Sequence, residues 1–530
     1  MRSIDSASKS RNSVRWQYLA GGTALVWLAS WLWLTRYYQL DDAFITLKYA
    51  CNLATHRFLT FDGLSETYGA SSLLYVFLVA HLLPIIPTPE TTKVLSVVSY
   101  VTLCILIIYQ VLRDRQRSNA LLWWILLVVL VSPMGVRWLS DGMETSLAAL
   151  VAFGLAMIAR LEAKRPPSIQ RYPLLVAFGG MTELLRPEFA ILIAAATIAI
   201  IVGDWGGRVR APGAGLTALP RVAMARGHLM VGAILAISTS YYTLGQLLPD
   251  TAVAKAQGFA VSLARLKSFE PVFGGSLFFG MGLLILWAFS GLQVLRFCKS
   301  AERLGALAVN LGFPILAVTG WLRGQNMQIR YFTPSLIFAC AWNLRESIPL
   351  LTRRLARLAP YRWAFVALIA LEFCFEGQIA FRICNSSAHA IAKMQSEHLY
   401  GLAGENGVAG DIGMISYFSG GRVCDLGGLV EGHAWALSSL GNRLQVCAGK
   451  DPKFAYLDDD QIMAFSKLYP LGRMRKCYQY SLGNMSGVDT HYLFVSQSLA
   501  ARVCGIKEVN VQSRYMNSRV SAVHQGKQQL

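Results

Sequence analysis

Apolar runs of membrane-crossing length recur through roughly the first three-quarters of the chain, divided by short linkers rich in Arg and Lys. A helix needs about 20 consecutive apolar residues to span a bilayer, and a soluble core has no place for so many. The first run, Trp16 to Trp33, follows a basic start (Arg2, Lys9, Arg11, Arg15). No small-residue cleavage site comes after it, so it reads as an uncleaved span and not a removed signal peptide. Charged residues make up only 15% of the chain, against about 25% in an average soluble domain. The expected fold is therefore a polytopic α-helical membrane protein. The net charge of +19 would suit nucleic acid, but the basic residues cluster between apolar runs and form no basic-aromatic stripe. No nucleic-acid partner is expected.

Run length and the Lys/Arg asymmetry of the loops predict about eleven spans, with the N-terminus cytoplasmic. One stretch is ambiguous, Ser71 to Ile86, flanked by Pro84, Pro87 and Pro89. If it crossed, the following span (Lys93 to Leu112) would deliver the basic stretch Arg113 to Arg117 to the outside. It is therefore predicted to lie on the outer surface, inside a long first external loop, 36–92. The remaining loops then alternate. Arg113 to Arg117, Arg160 to Arg171, Gly203 to Arg226, Arg296 to Arg303 and Arg345 to Arg362 fall inside. Arg137 to Glu144, Leu185 to Glu188, Leu248 to Thr251 and Arg323 to Arg330 fall outside.

Beyond the last span, near Trp363 to Ala380, Gly, Asp, Ser and Tyr become frequent and no further run is long enough to cross. Residues 1–384 are read as the transmembrane domain and 385–530 as an extracytoplasmic α/β domain, long enough for a core of its own. Within it Gly407 to Ser419 reads as strand, turn and helix start, and Tyr492 to Val495 as a strand. Cys424, Cys447, Cys477 and Cys504 lie in a compartment that permits disulfides; the three possible connectivities stay open beside four unpaired thiols. The chain has no P-loop, no HExxH, no CxxC pairs and no GxGxxG after a strand. Nucleotide-driven chemistry and a Cys/His metal site are unsupported.

Each predicted external loop holds a compact polar group. Asp41 and Asp42 open the first, with Lys48 and Asn52 following at helical spacing. The others carry Asp141 and Glu144, Arg186 and Glu188, Asp250 and Lys255, and Arg330-Tyr331-Phe332. Any one of these reads as a helix cap or a snorkelling cation. Together on one face, carboxylates mixed with Lys and Arg point to a site there.

In this setting several stretches resemble the GT-C glycosyltransferases. They are Asp41-Asp42-Ala43-Phe44-Ile45, Gly142-Met143-Glu144-Thr145, Leu185-Arg186-Pro187-Glu188 and Leu248-Pro249-Asp250-Thr251 with Ala254-Lys255. Asp411 to Ser419 and Asp425-Leu426-Gly427-Gly428-Leu429 continue the likeness in order. It is strongest to the branch holding mycobacterial cell-wall terminal arabinofuranosyltransferases and type IV pilin arabinosyltransferases. Asp250 and Met143 stand where that branch leads one to expect Asn and Leu, and most of the chain beyond Leu429 matches nothing in it. The resemblance implies an inverting transferase of the bacterial plasma membrane, fed by a polyprenyl-phosphate sugar and acting outside on a glycan or pilin-like protein. It implies a first-loop carboxylate, Asp41 or Asp42, as general base, the other orienting it. Lys255, Arg330 and Arg186 are then candidates for the donor phosphate. Glu144, Asp141, Glu188, Lys48 and Asp250 are candidates for holding or orienting the acceptor. No cofactor is expected, since a monophosphate donor does not require a metal. A lipid-linked glycan polymerase or ligase is the alternative, and a transporter or flippase a more distant one.

Overall fold

The computed structural model describes residues 2–86, 88–113, 120–208, 219–254, 277–297, 300–322, 329–344, 362–396, 399–483 and 488–504. It is a bundle of helices joined to a five-stranded sheet near the C-terminus. The first apolar run lies within the helix Arg2–Leu34. Glu90–Arg113, Thr145–Lys164 and Phe278–Arg296 are each long and apolar enough to cross a membrane. Two further pairs are bent, Leu121–Leu130 with Pro133–Leu139 by 68° and Leu219–Arg226 with His228–Leu244 by 59°. With each pair taken as one span, the described residues hold up to five such helices, and four shorter apolar helices, Tyr18–Leu34, Leu73–Leu82, Phe189–Trp205 and Arg303–Thr319, lie beside them. The bends fall where Pro133 opens one second limb and Gly227 precedes the other.

The ambiguous stretch forms the helix Leu73–Leu82, capped by the Ser72 hydroxyl, which accepts from the Tyr75 amide at 3.3 Å. Ten residues reach about 15 Å, half the apolar thickness of a bilayer. It is too short to cross.

Thr145–Lys164 is the axis of the bundle. Its buried Ala148, Ala149, Ala152, Ala156 and Ala159 let Phe189–Arg208 and Ile329–Leu344 pack against it, small side chains allowing close approach. At its C-terminal end Glu162 pairs with Arg171 at 3.2 Å and Arg226 at 3.6 Å, and Arg226 reaches Asp204 at 3.0 Å. Linkers assigned to one face by charge thus meet one another. Glu144, from a loop assigned to the opposite face, immediately precedes the other end of the same helix.

The sheet has strands β1 Asn406–Ala409, β2 Arg422–Asp425, β3 Phe454–Asp458, β4 Met474–Gly483 and β5 Val488–Ser496. Their order is β2-β1-β3-β5-β4, with β1 parallel to β2 and β3, and β5 antiparallel to β3 and β4. The strand–turn–helix expected over 407–419 is β1 followed by Gly413–Ser419. Disulfides join Cys424 to Cys447 and Cys477 to Cys504, with Cα separations of 5.7 Å and 5.2 Å. The helix Arg362–Ser396 runs on past residue 384 and lies along β4, where Ser386 and Lys393 donate to the carbonyls of Ser481 and Gln479.

The sheet unit is docked on the helix Asp41–His56. The Asp41 carboxylate accepts from the amides of Gly413 (2.9 Å) and Met414 (2.7 Å) at the start of Gly413–Ser419. Lys48 donates to the Ser416 carbonyl at 2.7 Å, and between these two points Phe44 packs on the rings of Tyr417 and Phe418. Gly413 is required there, because a Cβ on it would stand 2.0 Å from the Asp41 carbonyl oxygen. Gly413→Ala is expected to loosen this docking and open the sheet unit to limited proteolysis at lower protease concentration than wild type. Unchanged cleavage would show that the backbone shifts without losing the contact.

Candidate active site

One cavity of about 310 Å³ gathers residues from segments far apart in the chain. Asp42, Ile45 and Thr46 come from one helix, Gly69 to Ser71 from the first loop, and Met143 and Glu144 from the turn before the axial helix. Arg186 to Glu188, Leu248, Pro249, Thr251, Arg330 to Phe332 and Leu429 complete most of the wall. Every polar loop singled out in the sequence contributes to it.

Two ion-pair systems organise the wall. Arg330 donates through Nη2 to Asp42 Oδ2 at 2.8 Å and to the Tyr331 hydroxyl at 3.1 Å. Arg186 joins Glu144 at 2.8 Å and Glu188 at 2.9 Å. Both guanidinium groups are buried, yet Arg330 Nε and Nη1 and Arg186 Nε have no hydrogen-bond partner among the described residues. Buried donors left in this state are costly, and a phosphate oxygen would satisfy them. Glu144 Oε2 likewise has no partner among the described residues.

The remaining sequence candidates occupy other positions. Asp41 is absent from the cavity lining and points its carboxylate at the sheet unit, so the adjacent acids face different partners. Lys48, expected to hold or orient the acceptor, donates to the Ser416 carbonyl at 2.7 Å and is not among the residues lining the cavity. Asp141 is buried behind the wall, where its Oδ1 accepts from the Met143 amide at 2.9 Å and shapes the turn at Gly142, whose φ is +85°. Burial pushes its carboxyl up to about 6, partly opposed by the Arg330 charge. Asp250 lies between lining residues Pro249 and Thr251, fully buried, with His433 Nδ1 3.8 Å from Oδ1. Burial raises its carboxyl to about 6, and His433 opposes the rise. Lys255 lies outside the described residues. Among those residues no group of three or more His, Cys, Asp or Glu side chains is arranged to hold a metal ion.

Sequence reasoning missed Thr319, which joins the lining from the helix Ser300–Leu322. A lone Thr in an apolar helix carries no pattern. It also gave no place in the site to Leu429, although the stretch containing it was noted.

No family model matches the chain, and no curated protein matches it in sequence. Among solved structures, ArnT from Cupriavidus metallidurans in the apo state aligns with a TM-score of 0.52 at 13% identity, covering 92% of this chain and 99% of that one. The fold is that of ArnT. The same protein bound to undecaprenyl phosphate aligns at 0.49 and 12% identity, over 90% of this chain and 98% of that one. The oligosaccharyltransferase AglB from Archaeoglobus fulgidus, in complex with an inhibitory peptide and a dolichol-phosphate, aligns at 0.43 and 14%, over 91% and 77%. The first likeness extends over nearly all of both chains, so the helical bundle and the C-terminal sheet unit belong to one shared architecture.

Behind the wall the docking contact joins two titratable groups, Asp41 and the Asp411–His491 pair, so its stability is expected to depend on pH. Burial first, then the nearby Asp411 charge, raises the Asp41 carboxyl well above the usual carboxylate range. His491, which contacts Asp411 at 3.0 Å and stacks on Tyr456, is also raised: the hydrogen bond and charge of Asp411, with Asp458 and Asp41 beyond, outweigh its burial. A raised acid holds its proton longer in the folded state than in the unfolded one, and so does a raised histidine. Both contributions are therefore largest at acidic pH and are lost as pH rises. Thermal unfolding followed at the sheet unit is expected to fall in midpoint from about pH 5 to pH 8, and Asp41→Asn should flatten that slope.

Proposed function

We propose that this chain is a membrane glycosyltransferase that moves one sugar from a polyprenyl-phosphate donor to an acceptor hydroxyl, with inversion. The carrying observation is one cavity lined by Asp42 and by two buried guanidinium groups, Arg330 and Arg186, each with an N–H donor that has no partner among the described residues. In this reading the donor phosphate lies against Arg330 and Arg186. Arg330 can bridge phosphate and base together, because its bond to Asp42 uses Nη2 and leaves Nε and Nη1 for the phosphate. The acceptor oxygen attacks the anomeric carbon, its proton passes to the Asp42 carboxylate, and the carbon–oxygen bond to phosphate breaks with its electron pair on the phosphate. A sugar hydroxyl is a poor nucleophile until its proton is removed in the transition state, and preorganised cations stabilise the charge growing on the leaving group.

Asp41 is assigned to docking and Asp42 to proton transfer, since only Asp42 lines the cavity. Glu144 and Glu188 hold Arg186 in place and are available to acceptor hydroxyls. The two disulfides of the sheet unit support an oxidising, extracytoplasmic location for it. Arabinofuranose as the sugar, and an envelope glycan or pilin-like protein as acceptor, are supported by the sequence resemblance alone. The test is transfer from synthetic polyprenyl-phosphate sugars by membranes containing the protein, with mass spectrometry of surface glycans and glycoproteins from cells with and without it. No donor consumption and identical surface glycans would overturn the reading.

A further inference from the structure

Among the described residues the C-terminal sheet unit reaches into the cavity at Leu429, and a network of hydrogen bonds holds that contact. Strand β2 ends at Asp425, which is fully buried. Its carboxylate accepts from the amides of Leu429 and, at 3.0 Å, Val430. Its own amide donates to Glu431 Oε1 at 2.9 Å, and its carbonyl accepts from Trp435 Nε1 at 2.7 Å. One aspartate thus ties the next ten residues into a fixed strap. Arg443 fastens the strap from behind, donating to the Gly427 carbonyl at 3.1 Å. Gly428 takes a φ of +75°, and a Cβ there would collide with the Arg443 guanidinium.

The strap meets the helical bundle at two points. At Leu429 it lies against the cavity-lining Gly69, where a Cβ would stand 2.6 Å from the Leu429 carbonyl oxygen. Four residues on, His433 faces the buried Asp250, next to lining residues Pro249 and Thr251. The partly buried Leu429 itself lines the cavity. Leu429 also packs against the hydrophobic core beside Gly427, which holds its side chain in place at the cavity. The two arginines that the reading above gives to the donor phosphate lie on segments of the helical bundle, whereas the strap comes from the sheet unit.

We propose that Leu429 is a specificity-determining residue for the acceptor, and that Asp425 is the positioning residue that holds it against the cavity. This rests on the transferase reading above. Leu429 contributes a fixed apolar wall on the acceptor side, so acceptor bulk is limited by the strap while donor binding is set by the arginines.

The test uses the full chain in membranes, a polyprenyl-phosphate pentose as donor, and octyl mono-, di- and trisaccharide glycosides as acceptor probes. Leu429→Trp overpacks the acceptor side and is expected to raise acceptor KM by about ten-fold or more, with donor KM within about two-fold of wild type. Leu429→Ala should shift the preference among the three glycosides toward the larger. Asp425→Asn, which keeps the fold's volume but weakens the strap, should raise acceptor KM with little change in kcat. Leu437→Trp, at an exposed position outside the cavity, is the control and should change neither. If wild type transfers sugar but neither Leu429 variant alters acceptor KM or preference, or if donor KM moves instead, the strap assignment is wrong and the transferase reading stands. If wild type releases no sugar from the donor, both fall together.

Discussion

Asp42→Asn is expected to lower sugar transfer by about 10²–10⁴-fold, the usual contribution of a positioned general base. The substitution is close to isosteric, and an amide oxygen can still accept the 2.8 Å bond from Arg330, so the chain should reach the membrane folded. The loss should appear in kcat, because the proton moves only in the transition state. Asp41→Asn, assayed in parallel, is the informative companion. Its carboxylate serves the amides of Gly413 and Met414 and is absent from the cavity lining, so its main effect should be on docking of the sheet unit. Full activity in the Asp42 variant, with loss in the Asp41 variant, would reverse the two roles. Full activity in both would remove the carboxylate mechanism.

Arg186→Ala should be the most damaging single change to stability at this site. Arg186 is buried between Glu144 and Glu188 at 2.8 Å and 2.9 Å, and Glu144 is itself buried. Removing the cation strands the Glu144 charge, which typically costs about 3–5 kcal/mol. A double variant, Arg186→Met with Glu144→Gln, removes both charges and should recover most of that stability, since a neutral replacement of a buried pair is often tolerated. Stability is measured by thermal unfolding in detergent and function by sugar transfer. If Arg186 also binds the donor phosphate, the double variant is stable but inactive, with a raised donor KM. Recovery of both properties would reduce Arg186 to a structural strut.

The candidate site was legible in the sequence to an uneven degree. Asp42, Glu144, Arg186, Glu188 and Arg330 were each visible as charged residues at loop ends predicted to share one face, and the cavity unites them. Charge near an apolar run is expensive enough to be a signal in itself. Lys48 has the spacing from Asp41 of a shared helix face, and its neighbour there is the Ser416 carbonyl, a contact that spacing alone could not foresee. Leu429 was invisible as a cavity residue because an isolated Leu in a Gly-rich stretch reads as packing.

Local pattern therefore determined the apolar helices, the distribution of charge among the loops, the aspartate pair at the head of an amphipathic helix, and the strand–turn–helix beginning at β1. These depend on hydropathy and periodicity over a few turns, and such quantities are written in neighbouring residues. The tertiary structure decided the pairings: Cys424 with Cys447, Cys477 with Cys504, and Asp42 with Arg330 across 288 residues of chain. It also gave the two aspartates different neighbours. Successive residues on a helix point about 100° apart, so Asp41 and Asp42 had to face different surroundings. Which one met the sheet unit and which met the cavity depended on how two distant parts of the chain docked, and no local pattern encodes that.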